Sequence, residues 1–299
     1  MTDPFRSGFA CFVGRPNAGK STLTNALVGA KVAIMSDRPQ TTRHAVRGIV
    51  HRPDAQLVVV DTPGFHKPRT LLGERLNDVV RSTLAEVDVI AFCIPADEKV
   101  GPGDRFIASE LTRLGRRTPV VAVITKTDLV AKDAVGAQLV AVSKLAEWDE
   151  VVPTSASDGF QVELLSDLLV ARLPAGEALY PEGELTDEPE RVMVAELVRE
   201  AALAGVRDEL PHSIAVVVEE MKARPGRDDL VDIEAIMYVE RESQKGIVIG
   251  TKGDRLREVG TVARTQIEAL LGSKVFLDLR VKVAKDWQRD PKQLRRLGF

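Results

Sequence analysis

Nine residues near the start of the chain, Gly14-Arg15-Pro16-Asn17-Ala18-Gly19-Lys20-Ser21-Thr22, constrain the fold more than any other stretch. They meet every fixed position of G-x-x-x-x-G-K-[ST], a loop that cradles phosphate between a buried strand and the start of a helix. The flanks comply: residues 9–13 are an apolar run that predicts a strand, and residues 22–28 predict a helix. Gly14 and Gly19 let the main chain curl so that successive N–H groups converge on phosphate oxygens. The helix N-terminus adds its positive dipole end. Lys20 is placed to reach the outer phosphates and the Ser21 hydroxyl to ligate Mg²⁺.

Around this loop, residues 8–173 alternate strands with helices. Strands are predicted at 9–13, 46–51, 56–61, 87–94, 119–125 and 151–154, and helical periodicity at 71–84, 104–114, 134–145 and 160–169. That alternation predicts an α/β domain with a mostly parallel sheet covered on both faces. The run Leu57-Val58-Val59-Val60 does not alternate in polarity, as a strand buried on both sides requires. Residues 174–190, rich in Pro, Gly and Glu, read as an interdomain linker. Residues 191–299 change character: a helix over 192–206, strands at 214–220 and 233–240 joined by a polar turn at 222–229, and a short helical turn. Gly250-Thr251-Lys252-Gly253, a helix over 254–271 and a strand over 274–283 follow. The order αββααβ predicts a small α+β domain.

Two lengths of chain fit the 299 residues better than one domain. Residues 1–244 carry 28 Lys/Arg against 38 Asp/Glu, a net of −10, whereas residues 245–299 carry 13 against 6, a net of +7. A basic end on an acidic body points to an anionic partner there. No apolar run approaches the ~18 residues of a membrane span, and the N-terminus shows no signal-peptide pattern. Cys11 and Cys93, each inside an apolar run, read as buried free thiols in a reducing cytosol. His44, His51, His66 and His212 lack metal-ligand spacing and carry no catalytic assignment.

Two further elements complete a nucleotide site. Asp61-Thr62-Pro63-Gly64 closes the buried strand 47 residues after Gly14. A carboxylate there holds Mg²⁺ from the side opposite Ser21, and Gly64 frees the main chain to follow a γ-phosphate. The polar loop 36–43 offers Thr41 and Thr42 as a second hydroxyl ligand, and Thr42 is preferred. Thr125-Lys126-Thr127-Asp128 ends the next strand; the Asp128 carboxylate can accept the paired N–H groups of guanine, which adenine does not offer. The Lys126 stem lies along the base, and Ser155 and Ala156 present a main-chain N–H for the guanine O6.

Together G-R-P-N-A-G-K-S, T-T-R, D-T-P-G, T-K-T-D and S-A resemble the signature set of translation-factor-like GTPases. Residues 246–253, G-I-V-I-G-T-K-G, resemble the core of a type II KH domain. A GTPase domain followed by one KH domain is similar to the bacterial Era GTPases over nearly the whole chain. The resemblance implies GTP/GDP and Mg²⁺ as ligands, slow GTP hydrolysis, and residues 14–22, 61–65, 125–128, Ser155 and Ala156 around the nucleotide. Lys20, Thr42, Gly64 and Asn17 carry the catalysis, Asn17 resembling the asparagine that holds K⁺ in related GTPases. It implies an RNA-binding face of Lys245, Gly246, Ile249, Gly250, Thr251, Lys252, Gly253, Arg255 and Arg257, with residues 247–249 as an apolar floor. The implied partners are 16S rRNA near its 3′ end and the 30S subunit, whose maturation a monomeric switch would assist and couple to growth and the cell cycle. The tail 287–299 either packs back on its domain, the preferred reading, or extends the RNA surface or touches an anionic membrane from the cytoplasmic side.

Two positions depart from the wider GTPase pattern. Thr125 stands where N-K-x-D has Asn, which implies loss of the amide that braces the P-loop. Phe65 stands where Ras-like enzymes carry a water-orienting Gln, and it cannot orient water by hydrogen bonding. The competing readings are an RNA-binding scaffold whose nucleotide site hydrolyses negligibly, and an ATPase.

Overall fold

Each apolar run of the first half becomes a strand and each periodic stretch a helix. The computed structural model describes residues 4–38, 41–114, 118–204 and 210–299; Pro39 and Gln40 of the polar loop, and positions 205 and 206 of the helix expected at 192–206, lie outside the described residues. Two compact units emerge, the first reaching Asp187 apart from two short stretches, the second containing Glu188–Phe299.

The first unit comprises β1 (Arg6–Gly14), α1 (Lys20–Val28), β2 (Val46–His51), β3 (Ala55–Asp61), α2 (Leu71–Glu86), β4 (Val89–Pro95), α3 (Pro102–Arg113), β5 (Val120–Thr125), α4 (Lys132–Ser143), β6 (Glu150–Pro153) and α5 (Val162–Val170). The strands order as β2-β3-β1-β4-β5-β6, and only the β2–β3 pair is antiparallel. Alternate side chains of β1 enter opposite cores. Ala10 and Phe12 join Leu57, Val59, Leu165 and Leu169, while Cys11 and Val13 join Val60, Phe92, Ile107 and Leu111. All seven residues of β3 are buried, which is why that strand is apolar without alternation. Parallel pairing sets the C-terminal ends of β1, β3, β5 and β6 along one rim of the sheet, where a doubly wound fold binds its ligand. Both cysteines are fully buried, and burial pushes the Cys93 thiol up to about 12 and Cys11 in the same direction.

Residues 174–187 are not a free linker. Ser7 donates to Glu177 O at 2.6 Å, and the Gln56 side chain bonds Tyr180 O at 2.9 Å and the N–H groups of Leu179 and Tyr180 at 2.6 and 2.9 Å. The Ile49 N–H donates to Leu185 O at 2.9 Å, so the segment covers the open edge of β2. Pro and Gly remove periodicity, but the main-chain groups still find partners along a sheet edge.

The second unit comprises α6 (Glu190–Leu203), α7 (Leu210–Ser213), β7 (Ala215–Arg224), β8 (Arg227–Val239), α8 (Glu242–Ile249), α9 (Asp254–Leu271), β9 (Lys274–Val283) and α10 (Pro291–Arg296). Its sheet runs β7-β8-β9, antiparallel then parallel. The expected polar turn at 222–229 is mostly strand: pairing continues to Arg224 and Arg227, and Gly226 takes the bend at φ 75°. Charged residues there extend the hairpin because one sheet face meets solvent. The tail packs back as expected. Trp287 is fully buried, donates from Nε1 to Ser213 O at 2.9 Å and stacks on Phe299 with centroids 5.5 Å apart.

Candidate functional site

The P-loop owes its shape to contacts and dihedrals that few side chains allow. A Cβ on Gly14 would lie 2.6 Å from Cys93 O, so β1 and β4 leave room only for glycine. Asn17 and Gly19 adopt φ of 62° and 83°, which turns the main chain over before α1. Lys20 opens α1 in a nearly closed site, its Nζ 3.0 Å from Arg15 O and 3.4 Å from Gly14 O. Burial lowers its pKa, against the pull of the Asp61 carboxylate. Arg15 lines the loop by its main chain only. Its side chain points to α3, bonding Asp104 at 2.7 Å and Glu98 at 2.8 Å, because two carboxylates there outcompete solvent. Thr22 is half-buried in the first turn of α1, and Ala18 is fully buried.

Three oxygens converge beside Lys20. Ser21 Oγ donates to Asp61 Oδ2 at 2.6 Å, Thr42 Oγ1 donates to the same oxygen at 3.0 Å, and the two hydroxyls are 3.0 Å apart. The structure thus selects Thr42, not Thr41, for this cluster. Burial raises the Asp61 pKa, while Lys20 and the two hydroxyls pull it down. Asp61 Oδ1 is buried and has no hydrogen-bond partner among the described residues. A hard oxygen set with one unspent carboxylate oxygen suits Mg²⁺. Thr62 is tied back by its hydroxyl to Phe12 O at 2.6 Å, and Pro63 is buried beside it. Gly64 lies against the P-loop: a Cβ there would sit 2.8 Å from Pro16 N and Cγ. The Phe65 N–H donates to Gly14 O at 3.0 Å, while its ring turns into the core 5.4 Å from Phe106.

At the far end of the rim, the Thr125 hydroxyl donates to Ala18 O at 2.7 Å. The brace expected to vanish with the family asparagine is therefore kept by a shorter side chain. Lys126 sits at φ 59°, with its ammonium 3.3 Å from Asp97. Thr127 N–H reaches Thr154 O at 3.3 Å. The fully buried Ser155 donates from its hydroxyl to Asp128 Oδ1 at 2.8 Å and from its N–H to Phe160 O at 3.0 Å. Ser155 thus orients Asp128, and its own N–H is committed to Phe160 O, not to a base; Ala156, half-buried, follows it.

In the second unit, Gly250 ends α8 at φ 73° and Gly253 opens α9 at φ 81°, with Lys252 between them at φ 53°. Thr251 and Lys252 are exposed, so this tight corner presents main chain and an ammonium to solvent. Gly246 is exposed with no atom within 4 Å of where its Cβ would be, and Lys245 is half-buried. The expected apolar floor is narrower: Ile247 is 55% exposed and Ile249 half-buried, but Val248 is 2% exposed because the helical turn sends it into the core. Arg255 bonds Ala204 O at 2.8 Å at the end of α6, so its charge caps that helix. Arg257 keeps an exposed guanidinium beside Asp254 at 2.8 Å.

Comparison with known proteins agrees with this geometry. A family described as "50S ribosome-binding GTPase" matches residues 9–126, and a family described as "KH domain" matches residues 209–288. A curated relative, GTPase Era of Streptomyces coelicolor, is 72% identical over 302 residues, covering 98% of this chain and 95% of the relative. GTPase Era of Mycolicibacterium smegmatis is 67% identical over 300 residues, covering all of both. The chain belongs to the Era GTPases. A solved Era bound to MgGDPNP and nucleotides 1506–1542 of 16S ribosomal RNA superposes with TM-score 0.95 at 39% identity, over 98% of this chain and 99% of that one. An Aquifex aeolicus Era variant bound to GDP·AlF₄⁻ superposes with TM-score 0.94, also at 39% identity and the same coverage. The fold is that of the Era GTPases, and this member of the family is a GTPase with GTP/GDP and Mg²⁺ as its ligands.

Sequence reasoning missed several supports of this Era-type site. Asp97 and Glu98, an acidic pair just after β4, take up Lys126 and Arg15; Asp104 holds Arg15 from α3. The only local signal is a carboxylate three residues after Gly101, at the start of a helix.

Proposed function

We propose that this GTPase is a nucleotide-controlled switch that binds the 3′ region of 16S rRNA and assists 30S subunit maturation, linked to growth and the cell cycle. The observation that carries the reading is the convergence of Ser21, Thr42 and Asp61 within 3.0 Å. It joins the P-loop, the polar loop 36–43 and the D-T-P-G loop at one point. The main chain of residues 14–21, through its N–H groups at every position but Pro16, and the Lys20 ammonium hold the phosphates. Bound Mg²⁺, held by Ser21 and Thr42 with Asp61 behind, screens charge between the outer phosphates. Asp128, aligned by Ser155, reads guanine, and Thr125 keeps the P-loop closed over the same nucleotide. With Phe65 facing the core, orientation of water falls to main-chain groups near Thr42 and Gly64. Asn17, at the turn of the loop, is assigned to K⁺ by its resemblance to the asparagine of related GTPases. When the γ-phosphate leaves, Thr42 and Gly64 lose what they sense, and their loops relax.

The solved relative that carries 16S nucleotides 1506–1542 supports assigning the same region of RNA to this chain. The exposed Thr251 and Lys252, with Lys245, Gly246, Ile247, Ile249 and Arg257 around them, would take the strand. The two units act as a GTPase module and an RNA-binding KH module, in a monomer working in the cytoplasm. No helix among the described residues is long and apolar enough to cross a membrane. Any contact of the tail with an anionic membrane face would run through exposed Arg289, Lys292 and Arg295, since Trp287, Leu294 and Leu297 are buried. The test is single-turnover GTP hydrolysis with and without a 16S 3′-end oligonucleotide, alongside Asp128→Asn. Oligonucleotide binding and a shift of that variant from guanine to xanthine nucleotides are expected. Absence of oligonucleotide binding with intact hydrolysis would refute the rRNA assignment.

A further inference from the structure

The P-loop is fastened from behind. Arg15 Nε donates to Asp104 Oδ1 at 2.7 Å and Nη1 to Glu98 Oε2 at 2.8 Å. Asp104 is fully buried, and its second oxygen accepts the Gly101 N–H at 2.8 Å, closing the first turn of α3. Gly103 makes room for the arginine stem: a Cβ there would lie 2.7 Å from Arg15 Cδ. A buried, charge-assisted bond of this kind fixes geometry in a way that an exposed ion pair does not.

The same turns of α3 hold the loop that follows the nucleotide. Phe106, two residues after Asp104, lies 5.4 Å from the Phe65 ring at an interplanar angle of 55°. Arg81 also lies over that ring, 5.7 Å from its centroid. Meanwhile the Phe65 N–H bonds Gly14 O, and Gly64 leaves no room for a Cβ beside Pro16. Residues 14–16 therefore meet the D-T-P-G loop by main chain, and α3 meets both loops by side chains.

We propose that Arg15 and Asp104 are positioning residues for hydrolysis: they lock residues 15–16 and the start of α3 into one platform against which Gly64 and Phe65 close. The inference rests on GTP hydrolysis at this site. Nucleotide binding leans on other groups, the curl at Asn17 and Gly19, Lys20 and Ser21, so loss of the platform is read in turnover and not in GDP affinity.

Arg15→Met in the full chain removes both bonds and keeps an aliphatic stem over Gly103. Single-turnover hydrolysis is expected to fall about tenfold or more while the GDP Kd from calorimetry stays within about threefold. Arg15→Lys keeps one donor and recovers part of the loss. Phe106→Ala cuts the other limb and lowers turnover as well; the double variant falls short of the product of the two effects, because both act through α3. Wild-type turnover is measured alongside. Its absence would sink the GTPase reading itself, whereas wild-type turnover matched by Arg15→Met sinks only the positioning role. Parallel losses of GDP affinity and turnover, a lowered Tm with unchanged turnover per folded molecule, or fully multiplicative effects in the double variant would also overturn it.

Discussion

Thr125→Val tests the view that a threonine does here what the family asparagine does elsewhere. The hydroxyl donates to Ala18 O at 2.7 Å in a site where Thr125 is 4% exposed and Ala18 fully buried. Valine keeps the branched shape, so packing changes little; even a Cβ placed on Gly19 would lie 3.5 Å from the Thr125 side chain, so no hidden overlap drives the result. What changes is that a buried carbonyl loses its donor, which costs about 1–3 kcal/mol. Ala18 lies inside the curl that holds the phosphates, so the penalty falls on the binding-competent loop. A rise in the GDP Kd of about 5- to 140-fold follows, since each ~1.4 kcal/mol is tenfold. Calorimetry of nucleotide-free protein with GDP reads it directly. Thr125→Ser, which keeps the hydroxyl, should bind within about threefold of wild type. If Thr125→Val binds GDP within twofold of wild type at an unchanged Tm, the brace contributes nothing and the reasoning fails.

The thiols should be inert in the folded state: with Cys93 near 12 and both side chains at 0% exposure, iodoacetamide at pH 8 meets about one thiolate in 10⁴, and labelling appears only in denaturant. Lys252→Ala should weaken RNA binding and lower the slope of log affinity against log salt by about 1. Arg255→Ala should instead lower the Tm with little change in that slope, because its guanidinium is spent on Ala204 O. Gln56→Ala removes three hydrogen bonds to the segment 174–187, a loss of about 1 kcal/mol each; limited proteolysis should then cut within that segment faster than in wild type, and equal cutting rates would show that the edge is held by its other bonds.

Much of the site was legible because it is built from local geometry. G-x-x-x-x-G-K-S demands left-handed turns and a bare approach to β4, and both requirements write glycines at fixed spacing. The seven buried residues of β3 announce themselves as an unbroken apolar run ending in Asp61. The preference for Thr42 over Thr41 was legible but not its partners, and the retained brace from Thr125 and the diversion of Arg15 and Arg255 were not legible. Each depends on a partner brought close by the fold from 19 to 107 positions away along the chain.

Spacing and polarity alone determined the order of strands and helices, the phosphate loop, the carboxylate of Asp128 at the end of its strand and the G-T-K-G corner, because main-chain sterics act over a few residues. Tertiary structure decided which oxygens meet beside Lys20, which cations remain unspent, and that residues 174–187 cover a sheet edge. A hydrogen bond recognises distance in space, and a segment without periodicity carries no mark of the neighbour it will meet.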